Sequence, residues 1–212
     1  MFVLTIDQRR SRDGEDRIAA LLELLRRRGG SRLAAAPERT VGDELQLGTD
    51  DADCALDLLL VTLREGRWHV GLGIGAVQRP LPESIRSGTG GAFIAAREAV
   101  EAAKASPLGL AVRTAAANGA EPEDALSGEH LEAMLDLLLA LRERRSEPGW
   151  EVADLLEAGE SQGRIAERLG ITPQAVSLRL RTAGWRLDAA AQPALTTLLR
   201  MLDRRLDPPE ER

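Results

Sequence analysis

"SRLAAAPERTVGDELQLGTD" (residues 31–50) decides how the first half of this chain folds. Two runs in it read as strands, about 33–41 and 44–48, with Gly42, Asp43 and Glu44 where they meet. Gly and Asp suit a tight turn for backbone reasons alone. The same carboxylates suit a divalent cation or phosphate site, for their charge. These residues by themselves leave both readings open.

The flanking sequence alternates strand and helix. "FVLTI" (2–6) is a short apolar, β-branched run that ends at Asp7 and reads as a buried strand. In "EDRIAALLELLRRR" (15–28), Ile18, Leu21, Leu22 and Leu25 recur at helical spacing, with acid first and Arg last, as the helix dipole favours. "TDDADCALDLLLVTLREG" (49–66) reads as a second helix, capped by Thr49 or Asp50 and stopped by Gly66. A strand at 67–77, a helix at 92–105 and a strand at 108–115 complete the series. "GLGIG" (71–75) lies inside a strand pattern with Val70, Leu72, Ile74 and Ala76 on one face, so its glycines signal close packing rather than a phosphate loop. Strands joined through helices, with one hairpin among them, make a mixed sheet with helices packed on it.

From 127 to 206 the patterns are helical only, after a turn-rich linker at 118–128. The expected class is therefore α+β: a ferredoxin-like or palm-type mixed sheet at 1–117, then an all-α domain at 129–212. With 212 residues, 43% of them hydrophobic, the chain can bury one core and a small second one. A net charge of −6 excludes a polyanion binder that uses its whole surface. The single cysteine, Cys54, makes neither an intrachain disulfide nor a multi-cysteine zinc site, and a reducing cytoplasm is the expected compartment. No segment approaches the ~20 apolar residues of a membrane span. His69 and His130 stand alone and read as structural.

"ESQGRIAERLGITPQAVSLRLRTAGW" (160–185) carries the sharpest motif. Ile165, Ala166 and Leu169 mark a short helix, and Gly170 a turn. Thr172 is placed to cap a second helix, with Pro173 at its first position, where no N–H is needed. Val176 and Leu180 face the first helix. This stretch resembles a bacterial helix-turn-helix. Its outward side offers Gln174, Ser177 and Arg181, which suit base edges or phosphates. Residues 161–186 hold five Arg (Arg164, Arg168, Arg179, Arg181 and Arg186) against one Glu, a cationic island on an acidic chain. The candidate DNA contacts are Thr172, Gln174, Ser177, Arg179, Arg181, Arg164 and Arg168. Double-stranded DNA is the expected partner. Helices at 129–144 (Leu131, Met134, Leu135, Leu138 and Leu141 on one face) and 189–206 offer surplus apolar surface, which suggests a homodimer.

In the first half, Asp7 and "VGDEL" (41–45) resemble the palm-type fold of class III nucleotide cyclases and diguanylate cyclases. "TIDQRRSRDGEDR" (5–17), "ERTVGDELQ" (38–46) and "VGLGIGAV…GGAFIAAREAVEAA" (70–103) resemble the SatD family more closely, over about residues 1–115. The cyclase resemblance implies Asp7 and Asp43 as metal ligands with Glu44 as an auxiliary acid, Mg²⁺ with a nucleotide as cofactor, and Arg97 on phosphate. Arg9, Arg10, Ser11 and Arg12 follow Asp7 and are candidate phosphate contacts. Departures stand beside these: Val41 for the first Gly of the diguanylate signature, Leu45 for its Phe, Phe93 for a transition-state Asn, and no Lys expected near the strand ends. Three functions follow: a DNA-binding regulator with an N-terminal sensor or dimerisation domain, a nucleotide cyclase or nucleotidyltransferase, or a scaffold.

Overall fold

A computed structural model describes residues 1–9, 17–40, 42–115 and 126–206. Arg10, Ser11, Arg12, Val41 and most of the 118–128 linker lie outside the described residues. The elements are β1 (Phe2–Gln8), α1 (Ile18–Gly29), β2 (Ala35–Arg39), β3 (Glu44–Thr49), α2 (Ala52–Leu63), β4 (Trp68–Gly75), α3 (Gly91–Ala103) and β5 (Leu110–Ala115), then α4 (Gly128–Glu143), α5 (Glu147–Glu157), α6 (Gln162–Leu169), α7 (Pro173–Thr182) and α8 (Trp185–Leu206). The described chain is thus α+β, with a five-stranded mixed sheet and eight α-helices.

The strand order is β2-β3-β1-β4-β5. β1 is interior, antiparallel to β3 and β4, while β5 runs parallel to β4. Alternation assigns two faces. Leu4 stands opposite Leu47 and Leu72, and Ile6 opposite Leu45 and Val70. These six are fully buried, on the side that packs on α1 and α2. On the other face, Val3 lies between Gly48 and Gly73, Thr5 between Gln46 and Gly71, and Asp7 between Glu44 and His69. α3 covers this face across β1, β4 and β5.

α3 comes down until backbone meets backbone. A Cβ on Gly71 would stand 2.1 Å from the Val100 nitrogen, and one on Gly73 would stand 2.2 Å from the Ala92 oxygen. Ala92, Ala96, Ala99 and Ala103 are the buried side of the helix. Close packing is therefore what the glycines of β4 serve. The α2 cap is corrected from Thr49 or Asp50 to Asp51, whose carboxylate accepts from the N–H groups of Asp53 and Cys54.

The chain forms two compact units, Met1–Asp136 with Leu195–Arg212, and Leu137–Ala194, a division unlike 1–117 and 129–212. In the first unit, Glu132 accepts from the Val112 N–H on the sheet edge at 2.7 Å and pairs with Arg113 at 3.0 Å. This caps an otherwise bare edge donor. The second half of α8 buries Leu195, Leu199, Leu202 and Leu206, and its Arg200 and Asp203 pair with Asp53 and the Met1 amino group. On α4 the expected face shifts: Leu139 is buried, whereas Met134 is exposed.

Replacing Gly73 by Ala is expected to lower stability by about 3 kcal/mol or more, because the methyl group would meet helix backbone that cannot step aside. Gly163→Ala, in open space within α6, is expected to raise it by about 0.5–1 kcal/mol. Urea unfolding of both variants measures this; similar midpoints would overturn the packing argument.

Candidate functional site

The unit Leu137–Ala194 is built around a small apolar centre and one buried carboxylate. Val152 from α5, Ile165 and Ala166 from α6, and Val176 and Leu180 from α7 form the centre, with Trp185 against it. Asp188 near the start of α8 accepts from Arg142 through Nε and Nη2, each at 2.8 Å, and from Arg145 and Gln192, also at 2.8 Å. Arg145 donates through Nε to the Ala183 carbonyl just past α7 and lies 4.2 Å over the Trp150 ring. One carboxylate thus ties the end of α4 and the exit of α7 to α8.

The joint between α6 and α7 has the expected local chemistry. Ser161 caps α6, and Gly170 takes the left-handed conformation (φ 63°) that ends it. The Thr172 hydroxyl accepts from the Ala175 N–H at 3.1 Å, with Pro173 in the first helical turn. α7 then buries Val176 and Leu180 and leaves Thr172, Gln174, Ser177, Leu178 and Arg181 exposed.

The arginines separate into two kinds. Arg168 pairs with Glu160 at 2.5 Å and Arg179 with Glu151 at 3.3 Å. Arg164, Arg181 and Arg186 are exposed and make no ion pair among the described residues. The cationic island therefore narrows to three free guanidinium groups.

The second candidate lies at the end of β1. Asp7 faces Glu44 across one ladder and His69 across the other, and the Gln8 N–H donates to the Asp43 carbonyl at 3.3 Å. Below them, Gln46 donates to Thr5 at 3.0 Å, within the sheet. Burial pushes the Asp7 carboxyl above its usual range; Lys104 opposes this, and the charges of Asp43, Glu44 and Glu101 add to it. The expectation that no Lys stands near the strand ends is corrected. Lys104, at the end of α3, reaches to 3.8 Å from Asp7 and pairs with Glu101 at 2.7 Å.

The remaining candidates scatter. Glu44 also accepts from the Thr40 hydroxyl at 2.7 Å. Arg9 is half-buried over Gly109, whose positive φ (73°) and lack of a Cβ leave room for the guanidinium. Burial, then Arg9, holds the His69 ring below its usual range, and its Nδ1 lies 3.1 Å from the Ala103 carbonyl oxygen. Arg97 is exposed midway along α3, outside the set of charges that act on Asp7. Among the described residues, no group of three or more His, Cys, Asp or Glu side chains is placed to hold a metal ion.

Sequence reading missed α5, although Ser146 and Pro148 carry a start signal: the Ser146 hydroxyl accepts from the Gly149 N–H. It also missed Asp188 and its arginines, for which no local pattern exists.

No family model matches this chain, and no curated protein does. Among solved structures, the chain is similar to a regulator of polyketide synthase expression from Bifidobacterium adolescentis, with 16% identity and a TM-score of 0.26 over 97% of this chain and 80% of that one. No helix among the described residues is long and apolar enough to cross a membrane.

The two carboxylates give opposite pH signatures. Asp7 has a raised native pKa, so its contribution is full below about pH 4 and is lost as pH rises through the native value. Asp7→Asn is therefore expected to raise the urea midpoint at pH 7 and flatten its fall above pH 4. Burial raises the Asp188 carboxyl, but Arg142, with Gln192 and Arg145, outweighs this and holds it below the usual range. Its contribution is present above about pH 4 and is lost as pH falls through the depressed native value. Asp188→Asn takes from the buried Arg145 and the partly buried Arg142 the carboxylate that both donate to, and is expected to cost about 3–5 kcal/mol. Unfolding curves between pH 3 and pH 8 check both signs; the same sign for both would refute the assignment.

Proposed function

We propose that this chain is a DNA-binding transcriptional regulator whose α6 and α7 form a helix-turn-helix, with α7 as the reading helix in the major groove. The observation that carries this is the division of α7. Val176 and Leu180 are buried, while Gln174, Ser177 and Arg181 stand exposed together. Side chains of these types bond base edges, and a free Arg in the same row suits guanine or phosphate. Arg164 on α6 contacts the phosphate backbone. Arg168 and Arg179 serve by holding the helical frame through Glu160 and Glu151. The N-terminal ferredoxin-like, palm-type unit acts as sensor or dimerisation module, and a homodimer would read paired half-sites.

The sheet end supports a sensing role better than a catalytic one. Carboxylates that face one point repel unless a cation or proton sits among them. Lys104 supplies a cation, and the raised pKa of Asp7 favours a proton.

In retardation assays on genomic fragments, Arg181→Ala and Gln174→Ala are each expected to weaken specific binding by about 1–3 kcal/mol. Arg164→Ala is expected to weaken all fragments evenly and to reduce the salt slope by about one phosphate contact. Unchanged retardation by the first two variants refutes the proposal.

A further inference from the structure

A cleft of about 400 Å³ opens in the helical unit beside the outward row of α7. Gln162 from α6, Ser177, Leu180 and Arg181 from α7, and Trp185 and Arg186 from α8 line it. Its size falls within the range of about 300–1,000 Å³ that small-molecule sites occupy.

Three features define what would fill it. First, the cleft carries two positive charges and no negative one. Arg181 and Arg186 make no ion pair among the described residues, and no carboxylate lines the walls. Second, much of the lining is apolar. Leu180 is buried, Trp185 is half-buried, and Leu187, also in the lining, is 68% exposed. Third, the Gln162 amide and Ser177 hydroxyl add neutral hydrogen-bonding groups. A DNA phosphate would use the arginines, but the indole and the leucines would be wasted on it. A flat apolar body bearing one anionic group uses all three.

We propose that this cleft binds a small aromatic carboxylate, and that the bound compound displaces DNA because Ser177 and Arg181 belong to both surfaces. The second half rests on the function proposed above; the first does not. The ring lies against Trp185 and Leu187, and the carboxylate accepts from Arg181 and Arg186.

The test uses the full chain, 1-naphthoate as probe, the Trp185 indole N–H signal as readout, and calorimetry for affinity. Neutral 1-naphthamide and inorganic phosphate serve as comparisons. Naphthoate is expected to move the Trp185 signal and leave those of Trp68 and Trp150 in place. Arg181→Ala and Arg186→Ala are each expected to weaken binding by about tenfold or more, as loss of a charged hydrogen bond does. The amide and phosphate are expected to bind at least about tenfold more weakly than naphthoate. No movement of Trp185 at millimolar naphthoate overturns the proposal. Equal binding of the amide overturns it in favour of a bare apolar patch, and equal binding of phosphate in favour of a seat for the DNA backbone. In a second arm, naphthoate is expected to release a retarded DNA fragment where naphthamide does not; retention of DNA by the filled cleft overturns the competition. A chain that retards no DNA refutes the proposed function and the competition together, while the Trp185 arm still decides the cleft.

Discussion

The bare surface of β4 is the constraint on which the N-terminal unit depends. Gly71 and Gly73 present no side chain to α3, and the helix answers with Ala92, Ala96 and Ala99. Helix backbone consequently comes to rest on strand backbone. A side chain at either glycine would lift α3 and open the layer, since interiors packed at crystal-like density have no slack to absorb it. α3 also joins β4 to its parallel neighbour β5, so its height governs how the added strand closes the sheet.

That close approach also shapes the end of β1. Along the covered face the residues change from Val3 through Thr5 to Asp7, and their cross-strand neighbours on β3 from Gly48 through Gln46 to Glu44. Polarity therefore rises toward one end of the sheet, where α3 finishes and Lys104 comes within reach of Asp7. The buried Thr5–Gln46 hydrogen bond separates the apolar layer from the charged one. A carboxyl kept partly out of water, with one ammonium beside it and several acids around it, is sensitive to any added cation or anion.

The helical unit is organised differently. Its apolar centre is small, and Asp188 supplies what that centre lacks in definition. A buried ion network adds little net stability over an apolar replacement, yet losing one partner is costly. Here the network fixes the exit of α7, because Arg145 bonds both Asp188 and the Ala183 carbonyl. The outward row of α7 inherits its direction from that anchor and from Val176 and Leu180 beneath it. The cleft beside Trp185 follows from the same arrangement, since α8 starts immediately after the Gly184 turn, where φ is 64°.

Much of this was legible in the sequence because its causes are local. Periodicity marked β1, α1, α3 and the α6–α7 pair, and Gly170, Thr172 and Pro173 announced their turn, because capping and backbone preference act within a few residues. The hairpin at Gly42 and Asp43 placed a carboxylate beside the end of β1, as chain order required. Local pattern gave no means of pairing charges. It weighted Arg164, Arg168, Arg179 and Arg181 alike, whereas Glu160 and Glu151 occupy two of them. Lys104 was unassigned because its meeting with Asp7 depends on how far α3 descends onto β4. Met134 and Leu139 exchanged roles on α4 because the apolar stripe was wider than the face that became buried. The sequence by itself thus determined most of the helices and strands, α5 excepted, and which side of α7 is apolar, since those depend on neighbours along the chain. Only the tertiary structure decided which charges remain free and where a cleft opens, since those depend on groups that folding alone brings together.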